Sequence, residues 1–466
     1  MRETRVPAVG RTASPSTARA INDRLALQLL QSEGPLTATQ LKTLTGLSRP
    51  TVADLVERLR EAGLIEVVGE AGARRRGPNA RLYGIVAERA HLVGVDLRDH
   101  AVTVAVADLL GRVLAEDTVA LGDGGGDGSG AGLVGGDGPD VGGAFSDGVD
   151  SDVRDEFGAG VGPDMRGAFR DGSDPAVRTV IAALDRTLAK AGAERPHAVA
   201  VGAPGLVDPA TGRLGGTGWV PGWHATLIGA LGDHLSVPVL LENEVNLAAI
   251  AEQRDGAARD RDTFVLLWLG HGTGAAVVLD GALRRGASGG TGEIGFLPVP
   301  GTGGLPTPGG CDGGFHSLAG GAAVQALAER HGVRVPAGAS ADAYAPPGEA
   351  AVRTAVTGPA GSPEDAFLDA LAARVAIGVA AVSAVLDPGC VVLGGEIGHA
   401  GGDVLAGRVA EHLARISPLR TEVRAGTVGG RAVLRGAVVA AREAVQAELF
   451  GALPEAAVSG PSGPHR

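Results

Sequence analysis

The chain holds 466 residues, 44% of them apolar, with a formal net charge of −12 at pH 7. That length is too great for one hydrophobic core and calls for two or three domains. Two cysteines, Cys311 and Cys390, exclude a disulfide framework and a cysteine-rich zinc module, and they suit a reducing cytoplasm.

Residues 1–85 carry 13 Lys and Arg against 8 Asp and Glu, a net of +5, whereas the remainder carries 28 against 45, a net of −17. A basic head on an acidic body directs the head, and not the body, to a polyanion. The opening MRETRVPAVGRTASPSTARA has no apolar h-region, and no stretch resembles a membrane span. Residues 1–19 are expected to be disordered, and no membrane partner is expected.

The head spans residues 20–86. Ile21, Leu25, Leu29 and Leu30 keep helical spacing and predict a first helix over Ala20–Gln31. Thr37-Ala38-Thr39-Gln40 fits a capping box for a second helix ending near Thr45. Ser48 suits the N-cap of a third helix with Pro50 in its first turn. Val52, Leu55, Val56 and Leu59 form its inner face, leaving Arg49, Thr51, Asp54 and Arg58 outside. Leu64–Val68 and Arg81–Ile85 read as strands around a basic loop, Gly69–Asn79. This order is that of a winged helix-turn-helix, whose third helix enters the major groove of double-stranded DNA. Arg49 and Thr51 are the base-reading candidates, with Thr39, Gln40, Ser48 and Pro50 beside them. Arg74, Arg75, Arg76 and Arg81 are placed for phosphates or the minor groove.

The body starts near residue 90. His91–Leu97 and Ala101–Asp108 read as a hairpin, with a third strand near Val113–Ala115. Residues 121–174 are rich in Gly and Asp, without periodicity, and are expected to be a disordered insertion. Further on, Pro175–Ala191 predicts a helix, Ala198–Gly202 a strand, Ala225–Leu235 a helix, and Phe264–Leu269 and Ala275–Leu279 strands. Gly321–His331 and Glu364–Leu386 predict helices, with Ser340–Ser362 between them as a loop. Gly389–Leu393 predicts a strand and Ala432–Phe450 the last helix. Hairpins followed by helices, twice over, give an α/β body of two actin-like (ribonuclease H-like) lobes. The first lobe covers 90–248, the second lobe with the C-terminal helix 249–450, and 451–466 is expected to be a disordered tail.

The body turns on Pro238–Glu252, PVLLENEVNLAAIAE. A short buried strand ends at Leu241, and a helix starts by Asn246. Glu242, Asn243 and Glu244 then stand at the C-terminal end of a strand, where open α/β sheets place ligand groups. Carboxylate beside amide can grip polyol hydroxyls, although the same three residues also suit a helix cap and a turn.

Several motifs then agree in order and spacing. They are Gly94-Val95-Asp96, Gly202-Ala203-Pro204-Gly205-Leu206-Val207-Asp208 and Glu242-Asn243-Glu244-Val245-Asn246-Leu247-Ala248-Ala249. Leu269-Gly270-His271-Gly272-Thr273-Gly274, Gly292-Glu293-Ile294-Gly295 and Val391-Val392-Leu393-Gly394-Gly395 continue the series. With them the chain resembles the ROK family, which groups bacterial sugar kinases with sugar-responsive repressors. A winged-helix head on such a body is similar to the family's repressors of the xylose-repressor type. The resemblance implies a sugar site at Gly205, Asn243, Glu244, Glu293 and His316, the last standing where the family has a sugar-binding Glu. It also implies a homodimer or higher homo-oligomer.

Departures from the family's kinases decide the expected activity. Their first strand turn is an Asp followed by a Gly-rich loop, where backbone N–H groups reach a phosphate because side chains are absent. Here the turn reads Asp96-Leu97-Arg98-Asp99-His100. Their catalytic base is an Asp after Glu-Asn. Here it is Glu244, whose extra methylene displaces the carboxylate by about 1.5 Å, and a misplacement of about 1 Å can cost about a hundredfold in rate. Phe296 stands where their zinc-binding His would, and the knuckle Pro308–His316 keeps only Cys311. Four zinc ligands are not at hand. The expectation is a sugar-responsive DNA-binding repressor with no catalysis, metal or cofactor. An active sugar kinase that also binds DNA is the alternative, and a regulator without an effector is a third reading.

Overall fold

A computed structural model describes residues 15–71, 80–98, 100–121, 174–215, 222–336 and 345–450. The expected insertion, apart from its two end residues, lies outside them, as do the tail 451–466 and Arg74, Arg75 and Arg76.

The head contains α1 (Pro15–Ser32), β1 (Leu36–Thr37), α2 (Ala38–Thr45), α3 (Arg49–Glu61), β2 (Ile65–Ala71) and β3 (Ala80–Ile85). The helix begins ahead of the expected Ala20, inside the segment expected to be disordered. Pro15 forfeits no hydrogen bond in a first turn, and Ala18, Arg19 and Ala20 favour helix. Thr37 and Gln40 form the reciprocal capping box at α2, and Gly46 closes that helix at φ 69°. Ser48 caps α3 by accepting from the N–H of Thr51 at 3.3 Å. The strands form a sheet in the order β1-β3-β2.

The first lobe contains β4 (His91–Leu97), β5 (Ala101–Asp108), β6 (Val113–Ala120), α4 (Pro175–Lys190), β7 (Ala198–Ala203), α5 (Gly222–Leu235), β8 (Val239–Asn243) and α6 (Glu244–Asp255). Its sheet runs β6-β5-β4-β7-β8, with β5 antiparallel to both neighbours and β4, β7 and β8 parallel. Alternation along β4 sends Val93, Val95 and Leu97 to the face covered by α4 and α5, and Leu92 to the other. β8 was expected to be buried. It is the sheet's edge, and only Glu242 in it is buried.

The second lobe repeats the plan. It contains β9 (Phe264–Leu269), β10 (Thr273–Leu279), β11 (Ala282–Arg284), α7 (His316–Ala319), α8 (Gly321–His331), α9 (Glu349–Ala355), α10 (Pro363–Leu386), β12 (Cys390–Gly394), α11 (Gly395–Ile416) and β13 (Glu422–Ala425). Its sheet, β11-β10-β9-β12-β13, has the order and directions of the first. α9 lies inside the segment expected to be a loop. It is too short for a periodic signal, yet it buries Ala351, Val352 and Ala355 and pairs Glu349 with Arg353. α10 is long and apolar enough to cross a membrane, but Phe367, Leu368, Leu371 and Val375 line the lobe's own core.

Two helices join the lobes. α6 is buried on both sides, with Leu247 against the first sheet and Val245, Ala248 and Ala249 against the second. The last helix, α12 (Ala432–Leu449), follows β13 but lies on the first sheet. Glycines permit the approach. A Cβ at Gly94 would stand 2.9 Å from Val438 Cγ2, and one at Gly436 would stand 1.9 Å from the Leu247 carbonyl oxygen. α12 then reaches the head, where Val445 and Phe450 share one cluster with Leu27, Leu30 and Leu55.

Candidate functional site

The cleft between the lobes is built where β8 hands over to α6. Asn243 is the N-cap of α6. Its Oδ1 accepts from the N–H groups of Val245 (2.9 Å) and Asn246 (3.2 Å). Its Nδ2 donates to the carbonyl of Gly205 (3.2 Å) and to Glu244 Oε2 (2.7 Å). The cap reading and the ligand reading of this stretch therefore meet in one residue. Asn243 is fully engaged and sets the orientation of Glu244. Glu242 is buried and spoken for. It accepts from Asn243 N–H at 3.0 Å, from Asn246 Nδ2 at 2.9 Å, and from Arg285 of the second lobe at 2.7 Å.

Glu244 is half-buried at the start of α6. Burial, with Glu293, Asp96 and Glu396 near it, lifts its carboxyl from the usual 4.5 to about 8. At neutral pH it is a protonated acid that both donates and accepts. Burial also raises Glu293 and lowers His316. His316 opens α7 and packs its Cβ against Gly295, two residues from Glu293.

Asn243 thus links Gly205 and Glu244, Glu293 lies close enough for its charge to act on Glu244, and His316 lies beside Gly295. Cys311 and Cys390 are free thiols. Among the described residues no three His, Cys, Asp or Glu side chains converge to hold a metal ion. The zinc site that the resemblance implies does not fit the residues present, because Phe296 supplies no ligand and the knuckle holds one cysteine.

Sequence reasoning missed three partnerships. Arg98 donates to Asp96 Oδ2 at 3.1 Å and to Glu396 Oε1 at 2.9 Å, joining the two lobes. Arg285 joins them again through Glu242. Glu252 on α6 is buried and accepts from the N–H groups of Ala257 (2.7 Å), Thr427 (3.2 Å) and Val428 (2.9 Å), clasping both places where the chain passes between lobes. The sequence offered no signal for the pairings of Arg98 with Glu396, Arg285 with Glu242, and Glu252 with Thr427 and Val428, since these partners stand far apart in the chain.

In the head, Thr39, Gln40, Ser48, Arg49, Pro50 and Arg81 are exposed, and Thr51 is half-buried. Gln40 Oε1 is used by Thr37, so only its amide N–H groups remain for a partner. Thr51 shares a 2.7 Å hydrogen bond with the Ser48 hydroxyl. Arg58, expected on the outer face, is instead tied to Asp23 of α1 at 2.6 Å and to Asp54.

The model of the ROK family matches residues 171–444. The chain belongs to the ROK family. The MarR family model matches residues 22–76, across α2, α3 and β2. Among ROK structures, a transcriptional regulator described as a homologue of the E. coli MLC protein superposes with a TM-score of 0.64 at 19% identity, covering 93% of this chain and 98% of that one. A ROK family glucokinase from Streptomyces griseus, in complex with glucose and AMPPNP, gives 0.55 at 22% identity over 76% and 99%. These likenesses establish the fold, a MarR-type winged helix on a two-lobed ROK body.

Among sequences, the bifunctional enzyme NanE/NanK of Brucella suis biovar 1 is 34% identical over 190 residues, 40% of this chain and 32% of that protein. The N-acetylglucosamine repressor of Escherichia coli O157:H7 is 24% identical over 283 residues, 60% of this chain and 58% of that one. The chain therefore spans about a third of the length of the first relatives it matches.

Proposed function

We propose that this ROK protein is a transcriptional repressor that binds operator DNA through its head and answers to a sugar held between its lobes. The observation that carries the reading is Arg98. In the turn where the family's kinases admit phosphates, this side chain is bonded to Asp96 and Glu396 and stands across the cleft. The residues suited to a sugar remain beside it. Protonated Glu244, Glu293 and the frame of Asn243 and Gly205 offer both donors and acceptors to hydroxyls.

Coupling follows α12. A sugar that favours one closure angle moves the second lobe against α6 and α12, and α12 ends beneath the head. DNA affinity then changes by the sugar's differential affinity for the two states and by no more. Two heads on paired half-sites need two copies of the chain, and the setting is the cytoplasm. Thr39, Gln40, Ser48, Arg49, Pro50, Thr51 and the wing arginines, Arg81 among them, meet the DNA in this reading.

The test is calorimetric titration with xylose, glucose and N-acetylglucosamine, then with ATP. Sugar binding without ATP binding, lost in Asn243→Ala, supports the sensor. Turnover of ATP would return the protein to the kinases, and silence toward every sugar would leave a regulator without an effector.

A further inference from the structure

Head and body frame a cavity of about 970 Å³ between α1, the wing, the C-terminal end of α6 and α12, a volume at the upper end for small-molecule sites. Its lining shares no residue with the cleft between the lobes. Leu25 and Leu29 of the head and Leu110 and Phe450 of the body give it apolar walls. Arg24, Arg254, Arg259 and Arg442 stand there against Asp255 and Glu443, so the lining carries a surplus of two cations. In a body whose net charge is −17, that surplus is local. The two acids do not neutralise Arg442, the most buried of the four arginines at only 7% exposed. Its Nη1 donates to the carbonyl of Leu110 at 3.3 Å, and its Nε is buried with no partner among the described residues. Asp255 is taken by Arg435 at 2.8 Å, and Glu443 by Arg254. Burial pulls the pKa of Arg442 below its ordinary value, and Arg254 adds repulsion. A buried guanidinium without a counter-ion of its own is costly to keep.

We propose that this cavity is a second binding site, which takes a small phosphate monoester between head and body. The site does not depend on what the cleft holds. A phosphate monoester brings about −1.5 to −2 charges at neutral pH, which matches the surplus. Its oxygens can accept from the edge of the Arg442 guanidinium that carries Nε, in the paired geometry that arginine offers to phosphate. Arg254 is held by Glu443 alone, and both side chains are half exposed, so the pair is weak and can open toward a ligand. A neutral ligand leaves Arg442 uncompensated, and a cation meets four arginines. The carbon part of the ester meets the apolar walls. α1 carries Arg24 and Leu25 while α12 carries Arg442 and Phe450, so a ligand touching both bears on how the head sits on the body. The two sites then lie at opposite ends of one helix, since Asn243 caps α6 in the cleft and Arg254 and Asp255 end it at the cavity.

The experiment is calorimetric titration of the full chain with phenyl phosphate and with inorganic phosphate, in a buffer free of other polyanions, on the parent, Arg442→Met, Arg259→Ala and Arg49→Ala. The parent should bind phenyl phosphate, and at least about threefold tighter than inorganic phosphate because of the apolar walls. Arg442→Met keeps the stem and removes the cation, and should weaken binding at least about tenfold, the loss expected for a hydrogen bond between charged groups. Arg259 is exposed, so Arg259→Ala carries little risk to the fold, and it should weaken binding about threefold. Arg49→Ala, on the helix that reads DNA, should leave it unchanged. Phenyl phosphate that fails to bind the parent, or that binds Arg442→Met as tightly, overturns the inference. Binding lost in Arg49→Ala and kept in Arg259→Ala also overturns it, by placing the anion on the DNA-binding face. Inorganic phosphate that binds as tightly as its phenyl ester overturns the ester. Should Arg442→Met fail to fold, Arg259→Ala decides.

Discussion

Replacing Glu244 by Gln should abolish a pH dependence that the cleft builds into the fold. In the unfolded chain this carboxyl titrates near its ordinary 4.5, and in the folded chain near 8. Between those values the folded protein keeps a proton that the unfolded one has shed. The contribution is therefore fully present below about pH 4.5, shrinks as pH rises, and is gone above about pH 8. The slope is about 1.4 kcal/mol per pH unit at most, or about 2.7 kcal/mol between pH 5.5 and 7.5. Some solvent reaches the half-buried residue, so about 2 kcal/mol is the fair expectation. Gln has the shape of the protonated acid and does not titrate. Thermal midpoints of parent and Glu244→Gln, scanned at one rate over this range, should diverge by several degrees in favour of the variant toward the alkaline end. A constant offset between the two curves would refute the argument, because it would mean that Glu244 titrates alike in both states.

Four further outcomes are expected. Glu252→Ala leaves the N–H groups of Ala257, Thr427 and Val428 without their acceptor and should cost about 3–5 kcal/mol, with hydrogen exchange at those amides accelerated; unchanged exchange there would show that the clasp is idle. Gly436→Ala drives a Cβ into the Leu247 carbonyl and should lower stability by about 1–3 kcal/mol or more in a calorimetric scan. Ser48→Ala removes the cap of α3 and should destabilise the head by about 1 kcal/mol, read from the unfolding of its helices by circular dichroism. Arg49→Ala should relax preference at one base position if the side chain reads a base, or reduce the salt slope of binding by about one if it meets a phosphate; a binding isotherm unchanged at every salt concentration would remove Arg49 from the interface.

The head was legible because its signals are local. Thr37 and Gln40 sit three residues apart and Ser48 directly precedes α3, so capping chemistry marks both helix starts without reference to the rest of the chain. The alternating strands of each lobe were equally plain. α9 was not, since its few residues lie behind Pro346, Pro347 and Gly348, all of which read as turn. α11 was passed over because its glycines, with Gly402 at a non-helical φ of 51°, interrupt the pattern that Leu405, Val409 and Leu413 would otherwise set. The cleft was half legible. Asn243 and Glu244 could be found as neighbours in sequence, whereas Arg98 and Glu396 meet only after two lobes have folded. Arg98 stands in the turn that departs from the family's kinases, and folding brings it to Glu396 of the other lobe.

The placement of α12 also bears on how the protein is made. A ribosome delivers the head and the first sheet early, but one face of that sheet, partly covered by Leu247 of α6, is completed only when α12 emerges, well after the last strand of the sheet. Leu92, Ala105, Ala198 and Ala200 wait for Val433, Leu434, Ala437 and Val438 of α12 through synthesis of the whole second lobe, and exposed apolar surface of this kind favours aggregation or chaperone binding. A chain cut short before α12 would thus lose both the cover of the first sheet and the residues, Val445 and Phe450, that tie the head to the body.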